Sequence, residues 1–260
     1  MHKPPRKRFG QNFLTNSGII SRIIEGVAPR EGEHIVEIGP GRGALTEHLA
    51  RSGAKLSVVE IDRDLIAALP QQSWWGSHCE LHAGDALKLD FQALQPQPLR
   101  IVGNLPYNIS TPLLFHLLSA SEAVADMHLM LQKEVVQRLC ARPGTAAWGR
   151  LSVAAQLRAQ MQLLLDVPPH AFFPAPKVQS QVVRVQPRQP QPTLPSSLDG
   201  LLRAAFGARR KTLRKALSAQ VRPETWTKVD IDPGRRAEVL ELEEWLSLGR
   251  AVDAAGYTES

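Results

Sequence analysis

The sequence predicts an α/β fold: a mostly parallel sheet covered by helices on both faces, closed at one edge by an antiparallel hairpin and followed by a small helical domain. Three observations lead there. Apolar, β-rich runs alternate with helix-patterned segments through the first two thirds of the chain. Two strand-like runs then follow one another directly, and a Pro/Gln stretch separates them from a basic, helical remainder. Strand–helix alternation is the pattern of a parallel sheet buried on both sides.

The elements follow in order. His34 to Ile38, Lys55 to Glu60, Cys79 to His82, Leu99 to Gly103 and Met127 to Leu131 read as strands. Between and after them, Ala44 to Arg51, Leu65 to Leu69, Pro112 to Leu118 and Glu134 to Cys140 read as helices. Ahead of the first strand, Ser17 reads as the N-cap of a helix through Ala28. Met161 to Val167 and Val178 to Gln186, joined by a proline-rich loop around Phe172 to Pro176, form the expected edge hairpin. Pro187 to Pro195 can form neither a helix nor an interior strand, because proline lacks the N–H and fixes φ; it reads as a linker. Leu198 to Phe206, Arg210 to Gln220 and Arg235 to Leu248 then read as helices. The expected domains are residues 1–186 and 187–260, with no internal repeat.

Composition narrows the function classes. A hydrophobic fraction of 43% and a charged fraction of 22% are ordinary for a globular protein. No apolar run approaches the roughly 20 residues that a membrane helix needs. The basic start, Met1 to Gly10, lacks the apolar stretch of a secretory signal. Cys79 and Cys140 fit no disulfide or ligand spacing, so a reduced, cytoplasmic protein is expected. The net charge is +6, and its distribution says more than its size. Met1 to Ile24 holds Lys3, Arg6, Lys7, Arg8 and Arg22 without an acid. Leu201 to Gln220 holds Arg203, Arg209, Arg210, Lys211, Arg214 and Lys215, again without an acid. Either patch alone is as well explained by a solvated face. Together they point to a polyanion, and Arg6, Lys7, Arg8, Arg209, Arg210, Lys211 and Arg214 are the candidate nucleic-acid contacts.

The strongest local signal is Val36-Glu37-Ile38-Gly39-Pro40-Gly41-Arg42-Gly43, where a buried strand meets a glycine-rich turn and then a helix. Such a turn lets backbone approach a ligand, but nicotinamide enzymes use one too. Their spacing is G-x-G-x-x-G. Here it is G-x-G-x-G with an acid two residues ahead, a form that suits S-adenosyl-L-methionine, which has no pyrophosphate to cradle. Glu60 ends the second strand about 20 residues on, where a carboxylate can hold two ribose hydroxyls; a helix-capping role is the plainer alternative. Asp85, in Gly84-Asp85-Ala86 after the third strand, can accept from an adenine amine; alone it would read as a turn residue. Gly39, Gly41, Glu60 and Asp85 thus converge on the carboxyl edge of the sheet.

After the fourth strand comes Gly103-Asn104-Leu105-Pro106-Tyr107-Asn108-Ile109-Ser110-Thr111. An adenine N6 amine is a poor nucleophile because its lone pair is delocalised into the ring. Two acceptors facing its two protons draw the nitrogen towards a tetrahedral shape. The Asn104 side-chain oxygen and the Leu105 carbonyl can supply them, Pro106 adds no competing N–H, and Tyr107 offers a stacking face for an extruded base. A bare Pro-Tyr turn ending a strand is the alternative. His78, Glu80 and His82 share one strand face, but this is not a helical H-E-x-x-H site, and no metal is expected.

Phe9-Gly10-Gln11-Asn12-Phe13-Leu14, the glycine turn, Asn104 to Thr111, Leu131 to Val136, Phe172-Phe173-Pro174-Ala175-Pro176-Lys177-Val178 and Arg209 to Arg214 together resemble the ribosomal RNA adenine N6-dimethyltransferase family, most of all its bacterial small-subunit members. The resemblance covers nearly the whole chain. It implies a Rossmann-like class I methyltransferase sheet with a small α-helical C-terminal domain, acting as a monomer. It also implies dimethylation of two adjacent adenosines in the 3′-terminal hairpin loop of 16S ribosomal RNA, within the immature 30S subunit. Asn12 and Leu14 then join the cofactor contacts, Gly39, Glu60, Asp85 and Asn104 fall on the family's cofactor positions, and Phe172 sandwiches the target base against Tyr107. Phe173 is the less certain of the two aromatics, with core packing as its alternative. Three rivals remain: a large-subunit RNA methylase of the macrolide-resistance type, a non-catalytic assembly factor with the same fold, and a nicotinamide oxidoreductase. The intact Asn104 to Tyr107 loop speaks against the second. The glycine spacing speaks against the third.

Overall fold

The computed structural model describes residues 11–256; Arg6, Lys7 and Arg8 lie outside the described residues. The chain divides into two compact units. The first runs through Val136 and resumes over Ala159–Gln189, and the second takes Gln137–Arg158 and the chain from Pro190 onward. The expected boundary at residue 187 falls within three residues of the last crossing, but the expected domains have no place for Gln137–Arg158 in the helical unit. That stretch joins because Trp148, Val153 and Leu157 belong to the same buried cluster as Leu201, Leu213, Leu240 and Trp245.

The first unit is built on a seven-stranded sheet ordered β4-β3-β2-β5-β6-β9-β7. Its strands are β2 (His34–Ile38), β3 (Lys55–Glu60), β4 (Cys79–Ala83), β5 (Leu99–Asn104), β6 (Val124–Gln132), β7 (Ala159–Val167) and β9 (Ser180–Pro187). The five strands β4, β3, β2, β5 and β6 pair in parallel, while β9 runs antiparallel to both β6 and β7. The predicted mostly parallel sheet with an antiparallel edge is what forms. Burial explains the order. All five residues of β2 are buried, as a central strand under helices on both sides requires. The edge strands β4 and β7 carry exposed Glu80, Gln160 and Asp166, and β7 has a register shift between Leu163 and Leu165. Charge and irregularity of this kind discourage pairing with another chain.

Helix α1 (Ser17–Val27) is capped by Asn16, not by Ser17: the Asn16 side chain accepts from the Ile19 N–H at 3.0 Å. The remaining helices of this unit are α2 (Thr46–Ala50), α3 (Arg63–Ala68) and α4 (Ser110–Ser119). In α5 (Lys133–Leu139) the chain passes into the second unit, which holds α6 (Arg150–Gln156), α7 (Leu198–Gly207), α8 (Leu213–Ala216), α9 (Pro223–Val229) and α10 (Leu242–Ala254). The helix expected over Arg210 to Gln220 contracts to the four residues of α8, and the one expected over Arg235 to Leu248 starts only at Leu242. A short two-stranded sheet that periodicity did not announce pairs β1 (Phe13–Leu14) antiparallel with β8 (Phe172–Phe173), in the register Phe13↔Phe173 and Leu14↔Phe172. Among the described residues no helix is long and apolar enough to cross a membrane.

At the amino edge of the sheet a buried ion-pair network joins three strands. Asp126 of β6, 3% exposed, accepts from Arg100 of β5 at 3.0 Å and from Arg184 of β9 at 2.9 Å. Arg100 also reaches Glu33 at 2.8 Å and the Val27 carbonyl at 2.7 Å. Burial alone would raise the Asp126 carboxyl, but the bonds from Arg100 and Arg184 hold it below its ordinary value. An acid held low in the folded state stabilises above its unfolded value and loses that contribution as pH falls through the folded one. Asp126→Ala, which leaves Arg100 its bonds to Glu33 and the Val27 carbonyl but removes the charged acceptor it shares with Arg184, is therefore expected to lose about 2 kcal/mol at neutral pH. Urea denaturation should show that loss shrinking below roughly pH 4.

Candidate active site at the carboxyl edge of the sheet

Between β2 and β5 the strand order reverses direction, and open α/β sheets hold ligands outside the carboxyl ends at such a point. A cavity of about 260 Å³ lies there. It is lined by the ends of three adjacent strands (Glu37 and Ile38, Val59 and Glu60, Asn104), by the turns after them, and by Gln11 to Leu14. Gly39, Gly41, Glu60, Asp85, Asn104, Leu105, Pro106, Tyr107, Asn12 and Leu14 all reach this one lining, as the sequence led us to expect.

The turn itself is left-handed at Gly39, Gly41 and Gly43. Gly41 combines a φ of +58° with contact: a Cβ there would lie 2.9 Å from the Phe13 ring. The turn therefore seats β1 as much as it opens towards a ligand. Arg42 adds to that seat, its guanidinium carbon 4.5 Å from the centre of the Phe13 ring.

Glu60 is 6% exposed. Its Oε1 accepts from the N–H groups of Ile61 and Asp62 at 2.8 and 2.9 Å. Burial pushes this carboxyl up, and those N–H groups, with that of Gly41, pull part of the rise back. The capping alternative for Glu60 falls to Asp62 instead, whose Oδ1 accepts from Asp64 N–H at the start of α3. Asp85 does both things foreseen for it: it lines the cavity and caps the short turn after β4, accepting from Leu87 N–H at 3.0 Å.

Two backbone hydrogen bonds hold the Asn104 to Tyr107 loop. Leu105 is 1% exposed and its N–H donates to the Met130 carbonyl at 3.2 Å. Ile109 N–H donates to the Pro106 carbonyl at 3.1 Å, closing the turn. The Tyr107 hydroxyl pairs with the Ser180 hydroxyl at 2.9 Å. Asn104 donates Nδ2 to the Asn12 carbonyl at 3.1 Å. Only the amide nitrogen can make that bond, so Oδ1 is the atom Asn104 keeps for an incoming donor.

One expectation needs correction. Phe172 does not face the cavity: it is 4% exposed and packs with Leu14, Leu165, Val167 and Val182 in the core. Phe173 is 60% exposed. Successive residues of a strand point to opposite sides, so burying Phe172 turns Phe173 outward. Arg209, a candidate phosphate contact, is exposed and also pairs within its own unit with Glu238 at 2.7 Å and with the Ala146 carbonyl at 2.9 Å. Arg210, Lys211 and Arg214 are exposed. Of the histidines weighed for a metal, His78 is bonded to the Ala50 carbonyl at 2.9 Å.

Sequence reasoning named Glu37 without giving it a role. It lines the cavity, is 2% exposed, and its Oε2 has no hydrogen-bond partner. Burial pushes its carboxyl up to about 8, with the Thr46 hydroxyl offsetting part of the rise. An acid raised in the folded state costs stability as pH climbs from its unfolded value to its folded one. Glu37→Gln should therefore be more stable than the parent at pH 8, by roughly 3 kcal/mol or more, and near parity at pH 5. Denaturation midpoints at the two pH values would check this.

The model of the ribosomal RNA adenine dimethylase family matches residues 3–253. A ribosomal RNA small subunit methyltransferase A from Thiobacillus denitrificans is 54% identical over 248 residues, covering 94% of this chain and 96% of that protein. The crystal structure of a dimethyladenosine transferase from Plasmodium falciparum superposes with a TM-score of 0.82 at 26% identity, covering 94% and 98% of the two chains. The 23S rRNA methyltransferase ErmE shares the fold, with a TM-score of 0.72 at 24% identity over 93% of this chain and all of that one. Matched in this way over nearly its full length, the chain belongs to the ribosomal RNA adenine dimethylase family.

Proposed function

We propose that this protein dimethylates N6 of two adjacent adenosines in the 3′-terminal hairpin loop of 16S ribosomal RNA, within the immature 30S subunit, using S-adenosyl-L-methionine. The observation that carries the reading is Asn104, held at the cavity by its nitrogen on the Asn12 carbonyl, with its oxygen left to accept. The protein is read as a cytoplasmic monomer, with the unit formed by residues 1–136 and 159–189 as the catalytic one and the basic helical unit as an RNA contact.

The cavity fits this cofactor. The lining sets the carboxyl groups of Glu60 and Asp85 beside Arg42, which suits a cationic sulfonium better than a dinucleotide's pyrophosphate. When bound, the cofactor supplies a methyl group already activated on positively charged sulfur. Glu60 would accept from the ribose hydroxyls and Asp85 from the cofactor's adenine amine. Asn12, Leu14, Gly39 and Gly41 would close around the rest. Asn104 Oδ1 and the Leu105 carbonyl would accept from the two protons of the target amine, freeing its lone pair. Tyr107 would stack on the extruded base. For its other face the β1–β8 pair offers Phe173, the exposed aromatic opposite Phe13, which like Phe172 stands outside the cavity lining. Holding the amine in line with the methyl group accounts for most of the rate, since good alignment contributes on the order of 7–11 kcal/mol. The methylated nitrogen then releases its proton to solvent without a strong base.

The decisive experiment incubates purified, undermethylated small subunits with methyl-labelled cofactor and maps the RNA fragments by mass spectrometry. Two adjacent dimethyladenosines are expected, and Asn104→Ala should transfer methyl at least roughly a hundredfold more slowly. Label on large-subunit RNA alone, or no loss in the variant, would overturn the reading. In the helical unit, replacing Arg210, Lys211 and Arg214 by alanine should lower the log–log salt slope of RNA binding by about 2, at about 0.7 to 0.9 per phosphate contact. An unchanged slope in a filter-binding titration would make the run a solvated face.

A further inference from the structure

Asp62 stands outside the cavity lining and serves α3 as its N-cap through Oδ1. Its other oxygen does something a cap does not require: Oδ2 accepts from Gln11 Nε2 at 2.9 Å, across 51 residues of sequence. Gln11 opens the segment that continues as β1, and the next residue, Asn12, presents the carbonyl that holds the Asn104 amide at 3.1 Å. Downstream, the same segment is fixed independently. Phe13 and Leu14 pair with β8, Thr15 and Asn16 donate to the Ala171 carbonyl at 2.8 and 3.3 Å, and Arg42 covers the Phe13 ring. Asn12 thus lies between a paired strand on one side and the Asp62 clasp on the other.

We propose that Asp62 is a positioning residue for methyl transfer: by clasping Gln11 it sets the Asn12 carbonyl, which in turn fixes the rotamer of Asn104 and aims its oxygen at the amine. This rests on the proposed methylation and goes beyond it, because Asp62 touches neither cofactor nor base. An unclasped Asn12 carbonyl would leave the Asn104 amide free to rotate, and a displacement on the order of 1 Å at a reacting pair costs roughly a hundredfold in rate. The clasp therefore acts more on turnover than on occupancy of the cavity, whose Asp85 and Gly39 it does not touch.

The chemistry of the cap supplies the test. Asp62→Ser keeps a capping oxygen for Asp64 N–H and removes the one that holds Gln11. Asp62→Asn keeps the cap and rebuilds the clasp, since its amide can donate to a flipped Gln11 side-chain oxygen. At saturating cofactor and small subunits, Asp62→Ser and Gln11→Ala are each expected to lower kcat about tenfold. The double variant should lose about tenfold, not a hundredfold, and Asp62→Asn should stay within about threefold of the parent. Cofactor Kd of Asp62→Ser, read by calorimetry, should move less than threefold. A kcat for Asp62→Ser within twofold of the parent, a multiplicative double variant, or a loss wholly in Kd would overturn the proposal. Should the parent transfer no methyl at all, the methylation reading fails on its own. The clasp is then judged by hydrogen exchange of the peptide covering Gln11–Leu14, expected to quicken at least tenfold in Asp62→Ser and not in Asp62→Asn; unchanged exchange would overturn it.

Discussion

Parallel pairing of β2 with both β3 and β5 is the constraint on which the site depends. Ile38 sits opposite Val59 on one side and Gly103 on the other, so the three strands end together. With neighbouring strands roughly 4.8 Å apart, residues just past those ends fall within one small molecule's span. Glu60 and Asn104 owe their common cavity to that register. The register in turn needs Gly103, where a Cβ would come within 2.9 Å of the Ile38 carbonyl. A side chain there would push β5 away from β2 and carry Asn104 with it.

Much of this was legible in the sequence because buried parallel strands write themselves as unbroken apolar runs, and β2, β3 and β5 lie within a residue of where those runs predict. The cavity residues were legible for a related reason: function at strand ends is read from position once strands are placed. What escaped was short or non-local. Two-residue strands such as β1 and β8 have no period to count, so nothing in the sequence said which of Phe172 and Phe173 faces inward. Asn16 outcompetes Ser17 as a cap by backbone geometry alone. Arg209 looks like any other member of a basic run until Glu238, 29 residues away, is seen beside it. The assignment of Gln137–Arg158 follows from Trp148, whose buried cluster draws most of its members from Leu198 to Val252, far downstream.

The cavity's electrostatics are consistent with the chemistry proposed for it. Burial holds Glu37 neutral near physiological pH and raises Glu60 less, because backbone N–H groups face its carboxylate. The lining is thus acidic in composition without being a strongly charged well. A site of that kind can hold a cation without gripping it, and the product of methyl transfer from a sulfonium has lost its positive charge. Asn104 is neutral throughout, so amine activation depends on aim instead of on proton transfer. Aim is a mechanical property, which is why contacts such as the Asn12 carbonyl matter as much as the groups that touch substrate.

The interleaving of the two units has a consequence for biosynthesis. The helical unit takes its first segment, Gln137–Arg158, before the sheet has received β7 and β9, and its last only when α10 is made. On a ribosome, Trp148 and its apolar neighbours therefore emerge well ahead of Trp245 and Leu248, which complete the same buried cluster. For that interval an uncovered indole and a sheet lacking its final strands coexist on one nascent chain. Neither unit can be completed by a chain that stops early, so a truncated product would present sticky surface to the cell's folding and disposal machinery.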